Sequence, residues 1–418
     1  MSGDETYPAT VGQLSVWREI ERLPADRLWE ANLSSVWDLP EGDWGEERIW
    51  SALGAAAMRH ASMRTTYVLD EGGFPRQRVA AHSVQEVLAQ VRQGTADVAE
   101  REAKDTAELQ RAIDTTAELP WRAWILLDGG TPKQVLVVFN HMAADGVGGL
   151  VLREDFETIL GGTELPPAPG PIELALDQQG EGSGRLRNAE RYWRRTISAA
   201  PHRPPGGDAE PLGAVLHTGI PMPLANEAIG KFEVTLASLI LAAYYRGIQA
   251  ATGQDAVLLL LMSSNRFDET HARVVTSLNQ WTPLLLQFEP DEPFEEILPK
   301  VHWKAFNALK NGVCSPDAMW VIRDEHERLD PPVDPGFSYN PMLAPPGFPS
   351  EDRLVAPRIE RFEPARATGP GFYLIVRGLT SLDLVFRTRR HGFDDAAMTT
   401  MLHTIQDHLA GTIGGERL

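Results

Sequence analysis

The chain has 418 residues, of which 43% are hydrophobic, and this is enough to bury one large core or two cores of roughly 200 residues each. Its formal net charge of -19 argues against nucleic acid as a partner, because binding to phosphate groups needs a basic surface. The single cysteine, Cys314, excludes an intramolecular disulfide framework and a multi-cysteine metal site, and it agrees with a reducing compartment.

The amino-terminal residues MSGDETYPAT lack the basic and apolar regions of a signal peptide. Apolar runs such as Ala256–Met262 are far too short to cross a membrane. The sequence therefore predicts a soluble, cytoplasmic protein with no membrane partner.

The first part of the chain alternates between helical and extended patterns. Apolar residues recur at helical spacing over Val11–Ile20 and Glu47–His60, and a strand is predicted over Met63–Asp70. The run Val135–Phe139 is continuously apolar and rich in β-branched residues, which is typical of a strand buried on both faces. Helical spacing resumes at Val147 and continues to Leu160. The intervening residues are therefore predicted to form a turn from a strand into a helix.

Two stretches rich in Gly and Pro, Gly161–Gly184 and Pro201–Pro211, are predicted to lack regular structure and to flank a helix over Arg185–Ile197. The second half repeats the alternation, with helices predicted over Phe232–Ala251, Phe294–Leu309 and Asp394–Leu409 and strands over Ala256–Met262, Leu284–Phe288, Phe372–Val376 and Leu382–Thr388. Two successive sets of alternating elements predict a two-lobed α/β architecture, with domains at residues 1–175 and 176–418 and the chemistry between the lobes.

The predicted turn, in the sequence FNHMAADGVGG, contains the candidate catalytic residue His141. A histidine titrates near neutral pH and can take a proton from an amine or alcohol that attacks a thioester. Asp145 can turn back and pair with an arginine, and Gly146 permits a backbone conformation closed to other residues. A His-x-x-x-Asp-Gly string alone is a weak signal, because an isolated histidine is more often structural.

Four other segments have recognisable motifs in order along the chain, namely ATVGQLSVW (Ala9–Trp17), RHASMRTTY (Arg59–Tyr67), ERYWRRTI (Glu190–Ile197) and FSYNPML (Phe337–Leu343). Together with the turn, they resemble the condensation domains of nonribosomal peptide synthetases, whose hallmark is His-His-x-x-x-Asp-Gly, nearly end to end. These domains belong to the chloramphenicol acetyltransferase-like acyltransferase superfamily. The resemblance implies two such α/β lobes in a V-shaped pseudo-dimer, with the active site in a channel between them.

The resemblance also implies roles for individual residues. His141 would be the base or a positioning hydrogen-bonder, and Asn140 and Gly146 would help to organise the turn. Asp145 would form a salt bridge with Arg64 beneath the histidine. His60, near the end of a predicted helix, is interpreted as a cap or packing residue.

Two departures from the family pattern bear on function. Asn140 stands where the family has its first histidine, and an amide cannot act as an acid or base. Relatives with a single histidine indicate that activity can survive this change, whereas degenerate motifs also occur in members that recruit other enzymes. In TSLNQWTPLLLQF, either Asn279 or Gln280 takes the place of a family asparagine, depending on the alignment. Trp281 then either lines the substrate channel or is an ordinary packed tryptophan.

Two basic features have both structural and functional interpretations. Arg266, after a predicted buried strand, is interpreted as a structural ion-pair partner rather than a substrate ligand. The arginines of the predicted helix Arg185–Ile197 form either a solvated face or a local docking site for an acidic carrier protein.

Several other classes of site lack their sequence signals. The chain contains no Gly-x-Ser-x-Gly nucleophile elbow, no P-loop and no dinucleotide fingerprint, and its 11 histidines show no spacing suited to a metal. We therefore predict no metal and no redox cofactor.

The function implied by the resemblance is that of a freestanding condensation-type acyltransferase. It would move an acyl group from a thioester on a carrier protein or on CoA to a small-molecule amine or alcohol in secondary metabolism. One alternative is a catalytically silent domain that recruits a carrier protein or a tailoring enzyme. Another is the same fold with altered chemistry, such as cyclisation or dehydration of a carrier-bound chain.

Overall fold

The structure, a computed structural model, describes residues 5–180, 183–202, 208–267, 269–333, 336–343, 356–364, 370–378, 381–390 and 393–414. Within these ranges the chain forms two compact units. The first unit contains Met1–Leu186 and Ser264–Gln280, and the second contains Arg187–Ser263 and Trp281–Leu418. We call Ser264–Gln280 the return segment, because it comes back to the first unit after the chain has entered the second.

The strands within the described ranges are β1 (Tyr7–Pro8), β2 (Asn32–Asp38), β3 (Thr65–Leu69), β4 (Pro75–Val79), β5 (Arg92–Asp97), β6 (Trp121–Asp128), β7 (Thr131–Asn140), β8 (Asp208–Pro221), β9 (Ala256–Ser263), β10 (Gln280–Gln287), β11 (Phe337–Leu343), β12 (Arg358–Phe362), β13 (Phe372–Gly378) and β14 (Ser381–Arg390). The helices are α1 (Val11–Ile20), α2 (Glu46–Arg59), α3 (Val84–Gln90), α4 (Arg101–Leu109), α5 (Gly146–Leu160), α6 (Pro171–Gln179), α7 (Ser183–Ser198), α8 (Met222–Phe232), α9 (Leu236–Thr252), α10 (Glu269–Ala272), α11 (Phe294–Leu309), α12 (Pro316–Glu327) and α13 (Asp395–Ile413).

The first unit is built on a sheet in the order β2-β7-β6-β5 and a smaller sheet in the order β1-β4-β3. β7 is antiparallel to both of its neighbours, β2 and β6, so its backbone is paired on both sides. Helices α2 and α5 pack against each other, and their apolar faces share one buried core with residues such as Trp37, Ile49 and Phe156. Val275 of the return segment is buried in this same core. β7, which ends one residue before the candidate histidine, is therefore paired on both sides and packed into this core.

The second unit contains a sheet in the order β10-β9-β11-β13-β14-β8-β12. β11 is parallel to β9 and β13, whereas β13, β14, β8 and β12 pair antiparallel. Helix α9 packs against α11 and α13, and its Tyr244 lies among the buried rings of Tyr339, Phe372 and Phe386. This aromatic cluster is part of the core of the second unit.

The helix predicted over Phe232–Ala251 corresponds to α9, which begins four residues later, at Leu236, and α8 precedes it as a helix that was not predicted. The chain breaks between them because Glu233 adopts a left-handed backbone conformation, and Thr235 then caps α9 by accepting a hydrogen bond from the Ser238 N–H. In the part of the chain that the structure describes, no single helix is long and apolar enough to span a membrane. α8 and α9 reach that length and composition only as a pair, bent by 88°.

Most other predicted elements are confirmed, including α1, α2, β7, α5, α11 and the turn between β7 and α5. The prediction that Gly161–Gly184 lacks regular structure was wrong, because α6 lies within it. Its Pro171 occupies the first helical turn, where the missing N–H has no partner to lose. β8 begins inside the second predicted break, of which residues 203–207 lie outside the described residues.

The predicted domain boundary near residue 175 differs from the observed division in two ways. The first part of the first unit extends to Leu186, and the return segment belongs to the first unit although it follows 77 residues of the second. The reason for the second difference is packing, since Val275 is fully buried among residues of the first unit.

Candidate functional site

The turn that carries His141 is anchored to its neighbours through the backbone. The His141 N–H donates to the carbonyl of Ala31 at 2.7 Å, just before β2 begins. Asn140, the last residue of β7, pairs with Asn32 in the ladder. The side chain of His141 is partly exposed, whereas the next four residues are buried. The imidazole is thus the accessible group of a turn that is otherwise enclosed.

One polar side chain of the return segment contacts the imidazole, and a second is hydrogen-bonded to the first. His141 Nδ1 lies 3.1 Å from Ser277 Oγ, and the Ser277 hydroxyl donates to Asn279 Oδ1 at 3.0 Å. Asn279 was predicted as a substrate-channel residue, and in the structure it is connected to the histidine through the hydroxyl of Ser277. The sequence interpretation passed over Ser277 although it lies two positions before Asn279, because no sequence signal shows which loop approaches the turn.

Asp145 is the centre of the hydrogen bonds that join the turn to the return segment. Its Oδ1 accepts from Arg266 Nη2 at 2.6 Å and from the Gly148 N–H at 2.8 Å, so it also caps α5. Its Oδ2 accepts from the Leu278 N–H at 3.0 Å. The side chains of Asp145 and Arg266 are only 3% and 4% exposed, so this ion pair is buried. Gly146, the exposed first residue of α5, follows directly.

The predicted salt bridge between Asp145 and Arg64 was wrong. Arg64 donates to the backbone carbonyls of Met58 and Ala81, at 3.2 and 3.1 Å, and burial lowers the pKa of its guanidinium group. Arg266 takes the position next to Asp145, and the interpretation of Arg266 as a structural ion-pair partner is confirmed. The physical reason is that Arg64 is the last residue of a short helical turn and bonds to backbone carbonyls near it. Arg266 instead lies in the return segment, which packs on the turn that contains His141.

Arg266 also holds the backbone of its own segment. It donates to the carbonyls of Val274 and Thr276 at 2.9 and 3.1 Å. The same guanidinium group therefore connects Asp145 to two positions just before Ser277. This arrangement fixes where the Ser277 hydroxyl meets the imidazole.

A second buried carboxylate, Asp155, joins the far part of α5 to α2 and to the return segment. It accepts from Arg59 Nε at 2.7 Å, from His60 Nε2 at 2.8 Å and from Arg273 Nη2 at 2.8 Å. Burial opposes ionisation of Asp155, but the hydrogen bonds from these three side chains outweigh it and lower the pKa of the carboxyl group. Burial lowers the pKa of His60, so His60 is neutral near pH 7 and donates its Nε2–H. His60 is thus a packed, bonded residue, in line with its structural interpretation.

Asn140 takes part in the turn through its side-chain amide. Its Oδ1 accepts from the Met142 N–H at 2.9 Å, and its Nδ2 lies 3.5 Å from the carbonyl of Ile113. The side chain is buried, so the amide closes the turn and does not face solvent.

Two of the sequence motifs meet beneath the turn. Gln13 of α1 donates to the Tyr67 hydroxyl at 2.8 Å, and that hydroxyl in turn donates to the carbonyl of Met142 at 3.4 Å. Burial raises the pKa of Tyr67, which stays a neutral donor. The amide of Gln13 also closes a capping box with Thr10 at the start of α1. The structure therefore gives both motifs a physical role that the sequence interpretation did not assign.

The other predicted channel residues have different surroundings. Gln280 is buried, and its Oε1 lies 3.5 Å from Asn265 Nδ2 in the return segment. Trp281, in the second unit, is partly buried and lies edge-on to Tyr373, with ring centroids 5.8 Å apart. It packs against a small apolar core that includes Trp193.

The arginines on α7 remain mostly solvated. Arg194 pairs with Glu190 at 3.3 Å and with Glu325 at 2.6 Å, whereas Arg185, Arg187, Arg191 and Arg195 are exposed. A solvated face and a local basic patch both agree with these contacts.

Comparison with known proteins gives consistent matches along the chain. The condensation domain family model matches residues 30–344. One of the plipastatin synthase proteins of Bacillus subtilis is 26% identical over 328 residues, which are 73% of this chain and 9% of that protein. This chain therefore spans less than a tenth of the length of that relative.

Solved structures show the same fold. A structure of the condensation domain that mediates chain release from the enacyloxin polyketide synthase matches with a TM-score of 0.77 and 18% identity, over 99% of this chain and 84% of that chain. The SgcC5 protein from Streptomyces globisporus, in complex with (R)-(-)-1-(2-naphthyl)-1,2-ethanediol and sucrose, matches with a TM-score of 0.68 and 17% identity, over 97% and 98% of the two chains. The α/β class is thus confirmed, and because the family model matches most of its length, this chain belongs to the condensation domain family.

Proposed function

We propose that this protein is a condensation-type acyltransferase of natural-product biosynthesis, in which His141 accepts the proton of the attacking nucleophile. Members of the condensation domain family generally form amide or ester bonds. Activity of this chain, its donor and its acceptor are parts of the proposal.

The observation that carries the proposal is the exposure and fixed orientation of the His141 imidazole. His141 is partly exposed on an otherwise buried turn, and Ser277 approaches it from the Nδ1 side at 3.1 Å. A base in acyl transfer needs this combination of access and fixed orientation. The buried Asp145–Arg266 pair supports the same turn from below.

The replacement of the first family histidine by Asn140 is compatible with catalysis. The amide oxygen of Asn140 accepts a hydrogen bond from the Met142 N–H, a buried donor that needs a partner in this turn. The substitution leaves the imidazole of the next residue, His141, in place. The structural task at this position is therefore performed without a titratable group.

The proposed reaction needs no covalent enzyme intermediate. The amine or alcohol attacks the thioester carbonyl, a C–N or C–O bond forms, and His141 accepts the proton from the nucleophile. The C–S bond then breaks, and the thiolate receives that proton and leaves as a thiol. The products are an amide or ester and the free thiol of the carrier or CoA, so atoms and charge balance.

The donor is proposed to be an acyl group on a carrier protein or on CoA. Condensation domains of synthetases act on carrier-bound substrates, and the plipastatin relative is such a synthase. The diol bound to the SgcC5 protein supports an alcohol as one acceptor class, beside amines. The exposed arginines of α7 are the proposed contact for an acidic carrier. The freestanding arrangement and the channel between lobes stay predictions.

The test is single-turnover transfer from carrier-loaded and CoA thioesters to a panel of amines and alcohols, with the products identified by mass. His141→Ala should lower the rate about 10²- to 10⁴-fold while circular dichroism stays unchanged, because a partly exposed side chain is removed. The matched control is His82→Ala, since His82 is an exposed histidine of the same unit. It should transfer at the wild-type rate.

Three outcomes would contradict the proposal. His141→Ala could transfer as fast as the wild type, which would remove the histidine from the chemistry. A carrier protein or tailoring enzyme could bind tightly while no donor and acceptor react, which would favour a recruiting domain. A carrier-bound chain could lose water or cyclise without any acceptor, which would favour altered chemistry on the same fold.

A further inference from the structure

We propose that Ser277 and Asn279 form a hydrogen-bond relay that keeps the proton of neutral His141 on Nδ1 and thereby makes Nε2 the basic nitrogen. The inference rests on the proposed function in so far as Nε2 is taken to serve the acyl-transfer reaction. The tautomer itself is a property of the free protein. Ser277 and Asn279 are thus positioning residues and do not touch the substrate.

The direction of each hydrogen bond follows from the groups involved. Asn279 Oδ1 is a carbonyl oxygen and can only accept, so the single hydroxyl hydrogen of Ser277 is used in the 3.0 Å bond to it. Ser277 Oγ then has only lone pairs for the 3.1 Å contact with His141 Nδ1. The nitrogen must therefore be the donor. A neutral imidazole has one N–H, so the other nitrogen, Nε2, bears the lone pair that accepts a proton.

The hydroxyl of Ser277 cannot easily move away from the imidazole, because its backbone is enclosed on two sides. A Cβ on Gly12 of α1 would lie 2.2 Å from the Ser277 carbonyl oxygen and 2.8 Å from Leu278 Cα, so only a glycine allows this approach. On the other side, a Cβ on Gly148 of α5 would lie 3.3 Å from the carbonyl oxygen of Thr276.

The same backbone is held by charged hydrogen bonds. The Leu278 N–H donates to Asp145 Oδ2 at 3.0 Å, and the Thr276 carbonyl accepts from Arg266 at 3.1 Å. These bonds lie on either side of Ser277 in the sequence. The buried ion pair therefore acts on the imidazole through the relay, since it fixes the acceptor that orients the ring.

The relay differs in charge from the carboxylate that orients the base in a Ser-His-Asp triad. Ser277 and Asn279 are both neutral, so they select one tautomer and one ring orientation without adding a negative charge behind the histidine. This is sufficient for a reaction whose acyl group arrives activated as a thioester, because a weaker base can accept the proton as the new bond forms.

The experiment is ¹⁵N NMR of the full chain with labelled histidine, recorded at a pH where His141 is neutral. His141→Gln identifies the resonances of His141 by their loss. Protonated and bare imidazole nitrogens resonate in separate regions, so the spectrum reports the tautomer directly. We expect Nδ1 to carry the proton in the wild type.

Two variants break the relay in different ways and one preserves it. Ser277→Ala removes the acceptor, and Asn279→Leu frees the Ser277 hydroxyl to donate to Nδ1, so both should shift His141 towards the Nε2–H tautomer. Asn279→Asp keeps an accepting oxygen on a partly exposed side chain and should retain the wild-type tautomer. In single-turnover transfer, the first two variants should lose about 10-fold in rate with little change in the KM for the donor.

The matched control is Ser62→Ala. Ser62 is buried and donates to the carbonyl of Val275 at 2.6 Å, so it holds the same return segment without touching the imidazole. This variant should lower stability and leave both the tautomer and the transfer rate unchanged. A purely structural role for Ser277 would make the two serine variants behave alike.

The inference and the proposed function fail in different ways. If Ser277→Ala and Asn279→Leu both keep the wild-type tautomer, the relay is overturned, whatever the activity of His141→Ala. If the wild type holds its proton on Nε2, the relay is overturned as well. If the tautomer changes as expected while no thioester reacts even with the wild type, the relay is supported and the proposed function is wrong. Should Ser277→Ala fail to fold, Asn279→Leu alone decides.

Discussion

Removal of the Asp145 carboxylate should destabilise the first unit strongly. Asp145→Ala leaves the buried Arg266 cation without its partner and takes the acceptor from the N–H groups of Gly148 and Leu278. Removing one partner of a buried ion pair costs about 3–5 kcal/mol, and we take this range to include the loss of the cap of α5. For a unit of this size, the expected fall in melting temperature is about 6 to 20 °C. Asp145→Asn, which keeps an oxygen for the cap, should fall less.

Two double-mutant cycles test this reasoning, with the free energy of unfolding of each variant measured by denaturant titration. Asp145→Ala combined with Arg266→Met should show a coupling free energy of about 1–3 kcal/mol, because either single change leaves the other charge buried. Asp145→Ala combined with Arg64→Ala should be additive within about 0.5 kcal/mol. Strong coupling to Arg64 with none to Arg266 would refute the observed pairing and restore the pairing that the family resemblance implies.

Three further outcomes are expected. Asn140→Ala removes a hydrogen bond within the turn, so it should lower the free energy of unfolding, measured in urea, by about 0.5–1.5 kcal/mol. It should lower the transfer rate far less than His141→Ala does, and an equal loss of rate in the two variants would contradict this prediction. Gly12→Ala should reduce both the melting temperature and the single-turnover rate, because its Cβ would collide with the Ser277 carbonyl; wild-type values in both assays would show that the segment can yield. Below about pH 6.5, the melting temperature of the wild type should decrease more steeply with falling pH than that of His60→Gln. Equal slopes in the two proteins would contradict this prediction.

The sign of the last prediction follows from the pKa of His60, which burial lowers in the folded state. Between the folded and unfolded pKa values the unfolded chain binds more protons, so stability rises with pH in that window and reaches its full value above the unfolded pKa of about 6.5. One such group contributes a slope of at most about 1.4 kcal/mol per pH unit. Asp155 has a lowered pKa, so its contribution is lost only in acid below the usual carboxylate range.

The local elements around the histidine could be predicted because short-range signals determine them. The apolar run that ends at Phe139 and the helical spacing after Gly146 define β7 and α5 without reference to the rest of the chain. α6 was missed because glycines and prolines dominate its neighbourhood, although Pro171 at a first turn is a helix signal. The predicted start of α9 was a few residues too early, because Glu233 has a left-handed backbone conformation that no periodicity shows.

The partners of the site residues could not be predicted in the same way. Asp145 lies 121 positions from Arg266, and either Arg64 or Arg266 satisfies a sequence rule that asks only for an arginine. The choice depends on which segment packs on the turn. Ser277 was missed for the same reason, because no sequence signal shows that its hydroxyl lies against the imidazole.

The return segment also determines the order in which the first unit can be completed during synthesis. A ribosome makes Arg187–Ser263 of the second unit before it makes the segment that closes the first. A nascent chain that ends before the return segment contains β7, α5 and His141, but it lacks Val275 for the core and Arg266 for Asp145. Ser277 is absent at that stage as well. The contacts around the histidine can therefore be completed only after the chain has been made through Gln280, so residues far beyond the turn determine when this part of the first unit is complete.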